Sequence, residues 1–282
     1  MKTIREVLAE GTSILKESVT AGETPFLDAI ILLSFILGIS KEKLLASYPD
    51  KINQSNENAY KEILKKRISN QPVSYLIKKK EFYGLNFYVD KNVLVPRPDS
   101  ETLIETAIEI LKESSDQKAI LDLCTGSGAL AIALKHSLPK LDIQCSDLSL
   151  KAIEVCQKNC VDILGYKLKT IQTDLFDKID GTFDMIITNP PYLTDTETDS
   201  MMGNNWPEPD IALRGGADGL DFIRKIIKEA PRYLKKNAYL LIESSIDQTE
   251  KIKILLESGN FINIRIIKDL SGRDRVTLGQ RE

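Results

Sequence analysis

The sequence predicts an α/β fold in which a doubly wound, mostly parallel sheet follows a small N-terminal helical bundle. Strand and helix candidates alternate from residue 118 onward, as they do in sheets of this kind. Residues 1–75 are instead dense in helix formers and poor in strand signals. The last two strand candidates are joined only by residues 268–274, so they should form an antiparallel hairpin at the sheet edge.

The elements of this fold follow from apolar spacing and from chain breakers. Four stripes at helical spacing, at 4–15, 26–37, 41–48 and 57–68, precede Gln71-Pro72. Strand candidates follow at 119–123, 142–146, 169–173, 183–188, 238–243, 261–267 and 275–279, and helix candidates at 127–137, 149–162, 219–235 and 246–258. Between the two parts, an aromatic and alternating stretch at 81–95 predicts a β-hairpin.

Three segments are therefore expected along the chain. We predict a helical bundle at 1–75, a β-hairpin linker at 76–100 and a sheet domain at 101–282. The bundle could either cap the larger domain or dock a substrate or partner protein, and the sequence leaves both open.

The composition narrows the class of protein. Of the 282 residues, 42% are hydrophobic and 28% are charged, which is ordinary for a globular protein. A net charge of −3 provides no basic field for a nucleic-acid backbone, and no apolar run approaches the ~20 residues that span a bilayer. The four cysteines lack zinc spacing and His136 is the only histidine, so we expect free thiols, no metal site and a cytoplasmic protein.

A glycine-rich turn between a strand and a helix indicates a nucleoside site. Residues 122–128 read Asp-Leu-Cys-Thr-Gly-Ser-Gly, and Gly126 and Gly128 should let a ligand approach the backbone near the positive end of the helix. The loop is neither a full dinucleotide fingerprint nor a P-loop.

Acidic residues at the next strand ends extend this pattern. Asp147 follows the last glycine by about 20 residues, where an acid commonly bonds ribose hydroxyls. Asp174 ends the third strand at a place suited to an adenine amino group, with Leu175 against the ring. Each acid could by itself be a helix cap, but acids at successive strand ends favour a nucleoside ligand.

The segment Thr188-Asn189-Pro190-Pro191-Tyr192 follows a buried strand candidate. Neither proline can donate a backbone N–H, so the ladder stops, and residues before proline are held extended. The Asn189 amide and the Pro190 carbonyl are left as two rigid acceptors beside an aromatic ring. That arrangement suits the two hydrogens of a planar NH2 group. A simple turn, with Tyr192 as packing, is the alternative.

These motifs, in this order, resemble the class I S-adenosylmethionine-dependent methyltransferases that methylate planar nitrogens, which have a Rossmann-like seven-stranded sheet with a reversed final hairpin. The chain is most similar to peptide chain release factor glutamine methyltransferases, over essentially its whole length. The resemblance includes the segments at 71–75, 95–101, 208–219 and 275–279. Cys124 departs from the family, whose loop usually has Gly there. Because Cys is small, we expect a backbone with negative φ at that position.

The resemblance implies methyl transfer from S-adenosylmethionine to the side-chain amide nitrogen of the glutamine in the Gly-Gly-Gln motif of class 1 release factors. It implies Asn189, Pro190 and Tyr192 as catalytic residues, and Pro191 and Arg97 as further substrate contacts, although Arg97 could equally be a solvated loop charge. The implied cofactor site comprises Asp122, Cys124, Thr125, Gly126, Ser127, Gly128, Asp147, Asp174, Leu175 and Asn189.

Other functions compete with this one. Asn-Pro-Pro-Tyr would also fit a methyltransferase acting on a ribosomal protein glutamine or on adenine in DNA or RNA. Adenine flipped out of a duplex needs a basic groove, however, which the net charge of −3 does not favour. A non-catalytic S-adenosylmethionine-binding partner of the ribosome is the third possibility. We further expect a monomer with no direct nucleic-acid contact and no membrane contact.

Overall fold

The computed structural model describes residues 1–18, 24–112 and 117–282, which divide into two units. Unit 1 comprises Met1–Lys79 together with Asn205–Pro207, and unit 2 comprises Lys80–Asn204 together with Glu208–Glu282. Among the helices of these described ranges, none combines the length and the apolar character that a bilayer crossing requires.

Unit 1 is a helical bundle, as the apolar stripes predict. Its helices are α1 (Ile4–Lys16), α2 (Pro25–Leu37), α3 (Lys41–Ala46), α4 (Gln54–Ile68) and α5 (Val73–Ile77). The first helix begins with a capping box between Thr3 and Glu6, and Gly38 ends the second in a left-handed conformation, with φ 64°. The short last helix was not predicted, because Gln71-Pro72 marks its start and not the end of the bundle.

The core of unit 1 depends on one close helix contact. Tyr60 is fully buried, and its hydroxyl donates to the Ala29 carbonyl at 3.1 Å. A Cβ added at Gly11 would lie 2.3 Å from that hydroxyl oxygen. Glycine at position 11 lowers the stability of α1 by roughly 1 kcal/mol relative to alanine, but it leaves the space that the Tyr60 hydroxyl needs to reach the Ala29 carbonyl.

The hairpin that follows the helical region and precedes the sheet region in the sequence is shorter than predicted. It consists of β1 (Lys80–Phe82) and β2 (Leu85–Phe87), joined at Tyr83 and Gly84, whose φ values of 51° and 71° match a two-residue turn with left-handed residues. The prediction that it extends to residue 95 is wrong. Val93 and Val95 are buried, yet residues 92–95 form no strand, because the Val95 N–H donates to the Glu208 side chain at 2.9 Å and not to a neighbouring strand.

The sheet of unit 2 has the predicted class and the predicted reversal. Its strands are β3 (Ala119–Leu123), β4 (Asp142–Asp147), β5 (Lys169–Gln172), β6 (Phe183–Thr188), β7 (Leu234–Glu243), β8 (Phe261–Lys268) and β9 (Asp274–Arg281). Their order is β5-β4-β3-β6-β7-β9-β8, parallel from β5 to β7 and antiparallel in the last two pairs. Parallel strands buried on both faces explain the uninterrupted apolar runs.

Helices flank this sheet. They are α6 (Glu101–Leu111), α7 (Ala129–Ser137), α8 (Leu150–Leu164), α9 (Asp195–Gly203), α10 (Asp221–Glu229) and α11 (Thr249–Ser258). The predicted helix at 219–235 is too long, because β7 already begins at Leu234. The ninth helix was not predicted: it has no apolar stripe, and a capping box between Thr194 and Glu197 starts it.

Candidate active site

The cavity of unit 2 lies at the carboxyl ends of its central parallel strands. Leu123 pairs with Ser146 on one side and with Thr188 on the other, so the segments that follow β3, β4 and β6 come together at one edge. Most of the residues singled out in the sequence line the cavity, namely Arg97, Cys124, Thr125, Gly126, Ser127, Asp147, Asp174, Leu175, Asn189 and Pro191. The cavity lining does not include Asp122, Gly128, Pro190 or Tyr192.

The glycine loop is built from left-handed backbone positions. Cys124, Gly126 and Gly128 have φ values of 63°, 54° and 80°. The expectation of a negative φ at Cys124 is wrong, because the chain must turn there for the Thr125 N–H to reach the Ser146 carbonyl at 2.9 Å. A side chain in this conformation costs about 1–2 kcal/mol, which glycine would avoid.

The two glycines of the loop have different roles. A Cβ at Gly126 would meet no atom within 4 Å, and this glycine borders the cavity, so its bare backbone is available to a ligand. A Cβ at Gly128 would lie 2.7 Å from the Cys156 sulfur. Gly128 thus allows α7 to pack against α8, and it does not line the cavity.

Asp122 holds the loop from beneath. Its Oδ2 accepts from the Thr125 hydroxyl at 2.6 Å and from the Ala131 N–H at 3.3 Å, while Oδ1 has no partner among the described residues. Complete burial raises the pKa of this carboxyl to about 7. Its contacts fit a residue that shapes the loop, not one that touches a ligand.

Asp147 connects the loop to the end of β4. Its Oδ2 accepts from the Gly126 N–H and its Oδ1 from the Ser149 N–H, both at 2.9 Å. Burial raises the pKa of the carboxyl, although these backbone donors act in the opposite direction. Each carboxylate oxygen still has a lone pair for a further donor, so the group can accept from ligand hydroxyls while it stays oriented.

The end of β5 completes this side of the cavity. The Thr173 N–H donates to the Asp147 carbonyl at 2.9 Å, which brings the next residue to the same edge. Asp174 is exposed, whereas Leu175 is buried in the core and still lines the cavity, with φ 41°. One carboxylate and one apolar side chain therefore stand beside each other.

The corner at 189–192 presents two acceptors. Within the described residues, neither Asn189 Oδ1 nor the Pro190 carbonyl accepts a hydrogen bond, whereas Asn189 Nδ2 donates to the Ser100 hydroxyl at 3.4 Å. The Thr188 hydroxyl donates to the Leu123 carbonyl at 2.7 Å and so ties the corner to β3. Tyr192 packs against the core, and burial raises the pKa of its hydroxyl to about 12.

Glycines support the corner from behind. A Cβ at Gly215 would lie 2.8 Å from the Pro191 carbonyl oxygen, and one at Gly219 would lie 2.2 Å from the Tyr192 carbonyl oxygen. The Gln248 side chain also donates to the Tyr192 carbonyl, at 2.8 Å. Backbone thus packs directly on backbone behind the two acceptors.

Four residues of this region were not among the predicted site residues: Ser100, Glu208, Glu243 and Arg275. Arg97 pairs with Glu208, whose side chain is buried and also accepts from the Val95 N–H. Ser100, which accepts from Asn189 Nδ2, is buried, and so are Glu243, at the end of the neighbouring strand, and Arg275, whose charge acts on Glu243. One signal could have revealed Glu243: it ends a central parallel strand, as Asp147 does.

Family models match two parts of the chain. One described as the PrmC N-terminal domain matches residues 6–77, and one described as a methyltransferase small domain matches residues 99–206. Curated relatives match over almost the whole length. The release factor glutamine methyltransferase of Clostridium acetobutylicum is 34% identical over 283 residues, which is 99% of this chain and 98% of that one. The enzyme of the same description from Buchnera aphidicola is 37% identical, over 92% and 93% of the two chains.

Solved structures share the fold at low sequence identity. A methyltransferase from Pyrococcus furiosus superimposes with a TM-score of 0.51 and 17% identity, over 70% of this chain and 88% of that chain. A 16S rRNA methyltransferase of Thermus thermophilus, solved with AdoMet and guanosine, gives a TM-score of 0.53 and 18% identity, over 72% and 50%. These likenesses establish a Rossmann-like methyltransferase fold.

Proposed function

This chain belongs to the release factor glutamine methyltransferase family, and we propose that it methylates the glutamine of the release-factor Gly-Gly-Gln motif at the corner formed by residues 189–192. One observation carries the assignment of the site: Asn189 Oδ1 and the Pro190 carbonyl are two adjacent acceptors without partners among the described residues, and Asn189 and Pro191 on either side of that carbonyl line the cavity. A primary amide has two hydrogens on one planar nitrogen, which this pair of acceptors would satisfy.

The residues on the other side of the cavity fit S-adenosylmethionine. The open backbone face at Gly126 admits a ligand without a clash, and the oriented Asp147 carboxylate can accept from ribose hydroxyls. Leu175 and Asp174 offer an apolar surface and an acceptor to an adenine ring. When bound, S-adenosylmethionine supplies a methyl group on a positively charged sulfur.

The protein's own contribution to the reaction is positioning and charge stabilisation. An amide nitrogen is a weak nucleophile because its lone pair is delocalised into the carbonyl group. Asn189 Oδ1 and the Pro190 carbonyl fix that nitrogen in the cavity by accepting its two hydrogens. They also stabilise the positive charge that develops on nitrogen as the bond to the methyl group forms. One of the two protons then leaves to water, which restores a neutral amide.

Tyr192 and Arg97 support this arrangement in different ways. Tyr192 packs against the core and not into the cavity, so its role is to hold the chain at the corner. Arg97 lines the cavity and is anchored by the buried Glu208, so its guanidinium can meet substrate backbone at the entrance.

Unit 1 is the proposed docking site for the body of the release factor. Its second helix exposes two large aromatic side chains, Phe26 at 50% and Phe35 at 48%. Arg5, Lys16 and Tyr48 surround a hollow beside Phe26. Exposed aromatics with adjacent basic groups are typical of protein-binding surfaces.

Methylation of a purified release factor tests the assignment. The protein is incubated with the factor and S-adenosylmethionine, and the digested factor is analysed by mass spectrometry. The expected product is a gain of one CH2 on the glutamine of the Gly-Gly-Gln peptide alone. A release factor with that glutamine replaced should stay unmodified, and methylation elsewhere would contradict the proposal.

For the docking surface, Phe26→Ser should raise KM for the intact factor and leave kcat/KM for a short Gly-Gly-Gln peptide unchanged.

A further inference from the structure

A buried polar cluster lies next to Asn189, at the neighbouring ends of β6 and β7. Glu243, at the end of β7, is 1% exposed, and Ser100 and Arg275 are also buried. Three of the buried side-chain atoms without a hydrogen-bond partner among the described residues belong to this region: Glu243 Oε2, Arg275 Nε and Thr277 Oγ1. Buried polar groups cost free energy unless they are satisfied, so such a concentration calls for a functional explanation.

The Glu243 carboxylate constrains the orientation of the Asn189 amide. The β6–β7 register pairs Thr188 with Ile242, so the residues that follow, Asn189 and Glu243, lie at neighbouring strand ends. Asn189 Nδ2 donates to the Ser100 hydroxyl at 3.4 Å, and Asn189 and Ser100 both lower the pKa of the Glu243 carboxyl, as donors close to a carboxylate do. An ionised carboxylate can only accept hydrogen bonds. The NH2 end of the Asn189 amide must therefore face inward, which turns Oδ1 toward the cavity. The reverse orientation would set two acceptors against each other and would offer a donor to the substrate amide.

We propose that Glu243 is a positioning residue that fixes the Asn189 amide with its oxygen toward the substrate. The proposal rests on the proposed function of Asn189 as acceptor for the glutamine amide. Glu243 touches neither substrate nor cofactor in this scheme. It acts by making only one of the two amide orientations favourable.

The charges around Glu243 decide when this constraint operates. Burial raises the pKa of the carboxyl to about 7, while Ser100, Arg275 and Asn189 lower it and the neighbouring Asp99 raises it. The charged and titratable groups around it are thus Arg275 from β9, Asp99 from the turn before α6, and Tyr192, whose hydroxyl pKa the Glu243 charge helps to raise. Arg275 is itself shared with Asp99 at 3.1 Å and with Asp269 at 3.4 Å.

The protonation state of Glu243 makes the activity depend on pH. Above about pH 7 Glu243 is ionised and accepts from Asn189, so the productive orientation is favoured. As the pH falls through that value, the carboxyl gains a proton that it can donate to Asn189 Oδ1. The reversed orientation then becomes populated, and kcat should decrease.

Glu243→Gln tests this directly, because glutamine keeps the shape and offers both a donor and an acceptor. We expect kcat at pH 8 to fall about tenfold, as a charge-assisted bond is replaced by a neutral one. The decrease of kcat between pH 8 and pH 6 should disappear, while the Kd for S-adenosylmethionine should stay close to wild type, as should the Tm at pH 6, where the wild-type carboxyl is also largely protonated. Asp184→Asn is the matched control, since it neutralises a half-buried, ion-paired carboxylate near the start of β6, the strand that carries Asn189. It should leave kcat and its pH profile unchanged.

A double-variant cycle keeps the test decisive if Glu243→Gln is less stable. Asn189→Asp alone places two carboxylates together and should be nearly inactive. Adding Glu243→Gln supplies an inward donor and leaves an outward oxygen, so the double variant should be at least tenfold more active than Asn189→Asp. A Glu243→Gln enzyme with wild-type kcat and pH profile, or a double variant no better than Asn189→Asp, would overturn the role of Glu243. Wild-type activity of Asn189→Ala would instead contradict the proposed site itself.

Discussion

The two halves of the site are adjacent in the sheet but are held in place by different means. The loop at 124–128, after β3, is shaped by three left-handed residues of its own and by hydrogen bonds to Asp122 and to the end of the adjacent strand β4. The corner at 189–192, after β6, is held by side chains and backbone from distant segments, among them Ser100, Gly215 and Gln248. One half thus depends mainly on its own backbone and the neighbouring strand, and the other on segments spread over the whole unit.

This difference separates two kinds of function. A loop that binds through an open backbone surface and a fixed carboxylate contributes mainly to ground-state affinity. A corner whose acceptors meet a developing charge contributes mainly to the rate. Substitutions in the two halves should therefore have separable effects on cofactor affinity and on kcat.

The largest expected effect is on the corner. Asn189→Ala removes one of two acceptors that act as the amide becomes cationic, so kcat should fall by about 10²–10³, equivalent to some 2.7–4 kcal/mol. Cofactor affinity should stay within about twofold of wild type. Asn189→Asp should be as poor as Ala, because Glu243 lies behind it. Single-turnover kinetics would measure the rate, and calorimetry would measure cofactor affinity. A loss confined to cofactor affinity would contradict the proposed difference between the two halves.

The loop half should respond in affinity. Asp147→Ala removes a carboxylate that orients the Gly126 N–H and is proposed to bind ribose hydroxyls, so S-adenosylmethionine binding should weaken by roughly 1.5–3 kcal/mol. At saturating cofactor, kcat should recover most of its value. Asp174→Ala, at an exposed carboxylate, is the comparison and should cost less. Equal losses for both acids, measured by isothermal titration, would argue against a special position for Asp147.

Stability should decrease as the pH rises from 6 to 8. Asp122 beneath the loop and Glu243 beneath the corner both have a pKa raised to about 7 by burial, so the folded state binds more protons than the unfolded state in this window. Each group should lower the free energy of unfolding by about 1 kcal/mol across it. Urea unfolding at both pH values measures the change, and Asp122→Asn should remove about half of it. A stability that rises from pH 6 to pH 8 would show that neither carboxyl retains its proton.

The smallest effect concerns the strained cysteine of the loop. Cys124→Gly and Cys124→Ala lose the same sulfur, but only glycine relieves the left-handed backbone, with φ 63°. The glycine variant should therefore be more stable than the alanine variant by about 1 kcal/mol, after the entropy of the unfolded glycine is counted. Differential scanning calorimetry would detect this as a Tm difference of a few degrees. If alanine proves the more stable, the backbone at 124 is not left-handed.

The part of the site predicted from sequence is the part with local causes. The strand, the glycines and Asp147 follow from short-range patterns, and the reversed final strands follow from one short connection. Ser100 and Glu243 could not be assigned in the same way, because their contact with Asn189 joins segments that lie far apart in the chain. The negative φ expected at Cys124 failed for a related reason: the small size of the residue was considered, but not the hydrogen bond that requires the turn.

Secondary structure shows the same division. Apolar periodicity located the strands of the sheet, while α9, which has no such stripe, and the strand extension at the start of β7 were missed. Both depend on contacts with distant parts of unit 2 or on capping, which apolar spacing does not report.

The packing of Gly215 and Gly219 behind the corner has a consequence for protein engineering. Asn-Pro-Pro-Tyr is short enough to suggest that it could be grafted onto the strand end of another sheet. Yet any Cβ at Gly219 would come within 2.2 Å of the Tyr192 carbonyl oxygen, so the supporting segment tolerates no side chain there. A transplanted tetrapeptide would carry the two acceptors without the surface that sets their spacing. A portable form of this corner therefore needs at least the two chain segments 188–193 and 213–220, with counterparts for the contacts of Ser100 and Gln248, and not a four-residue motif alone.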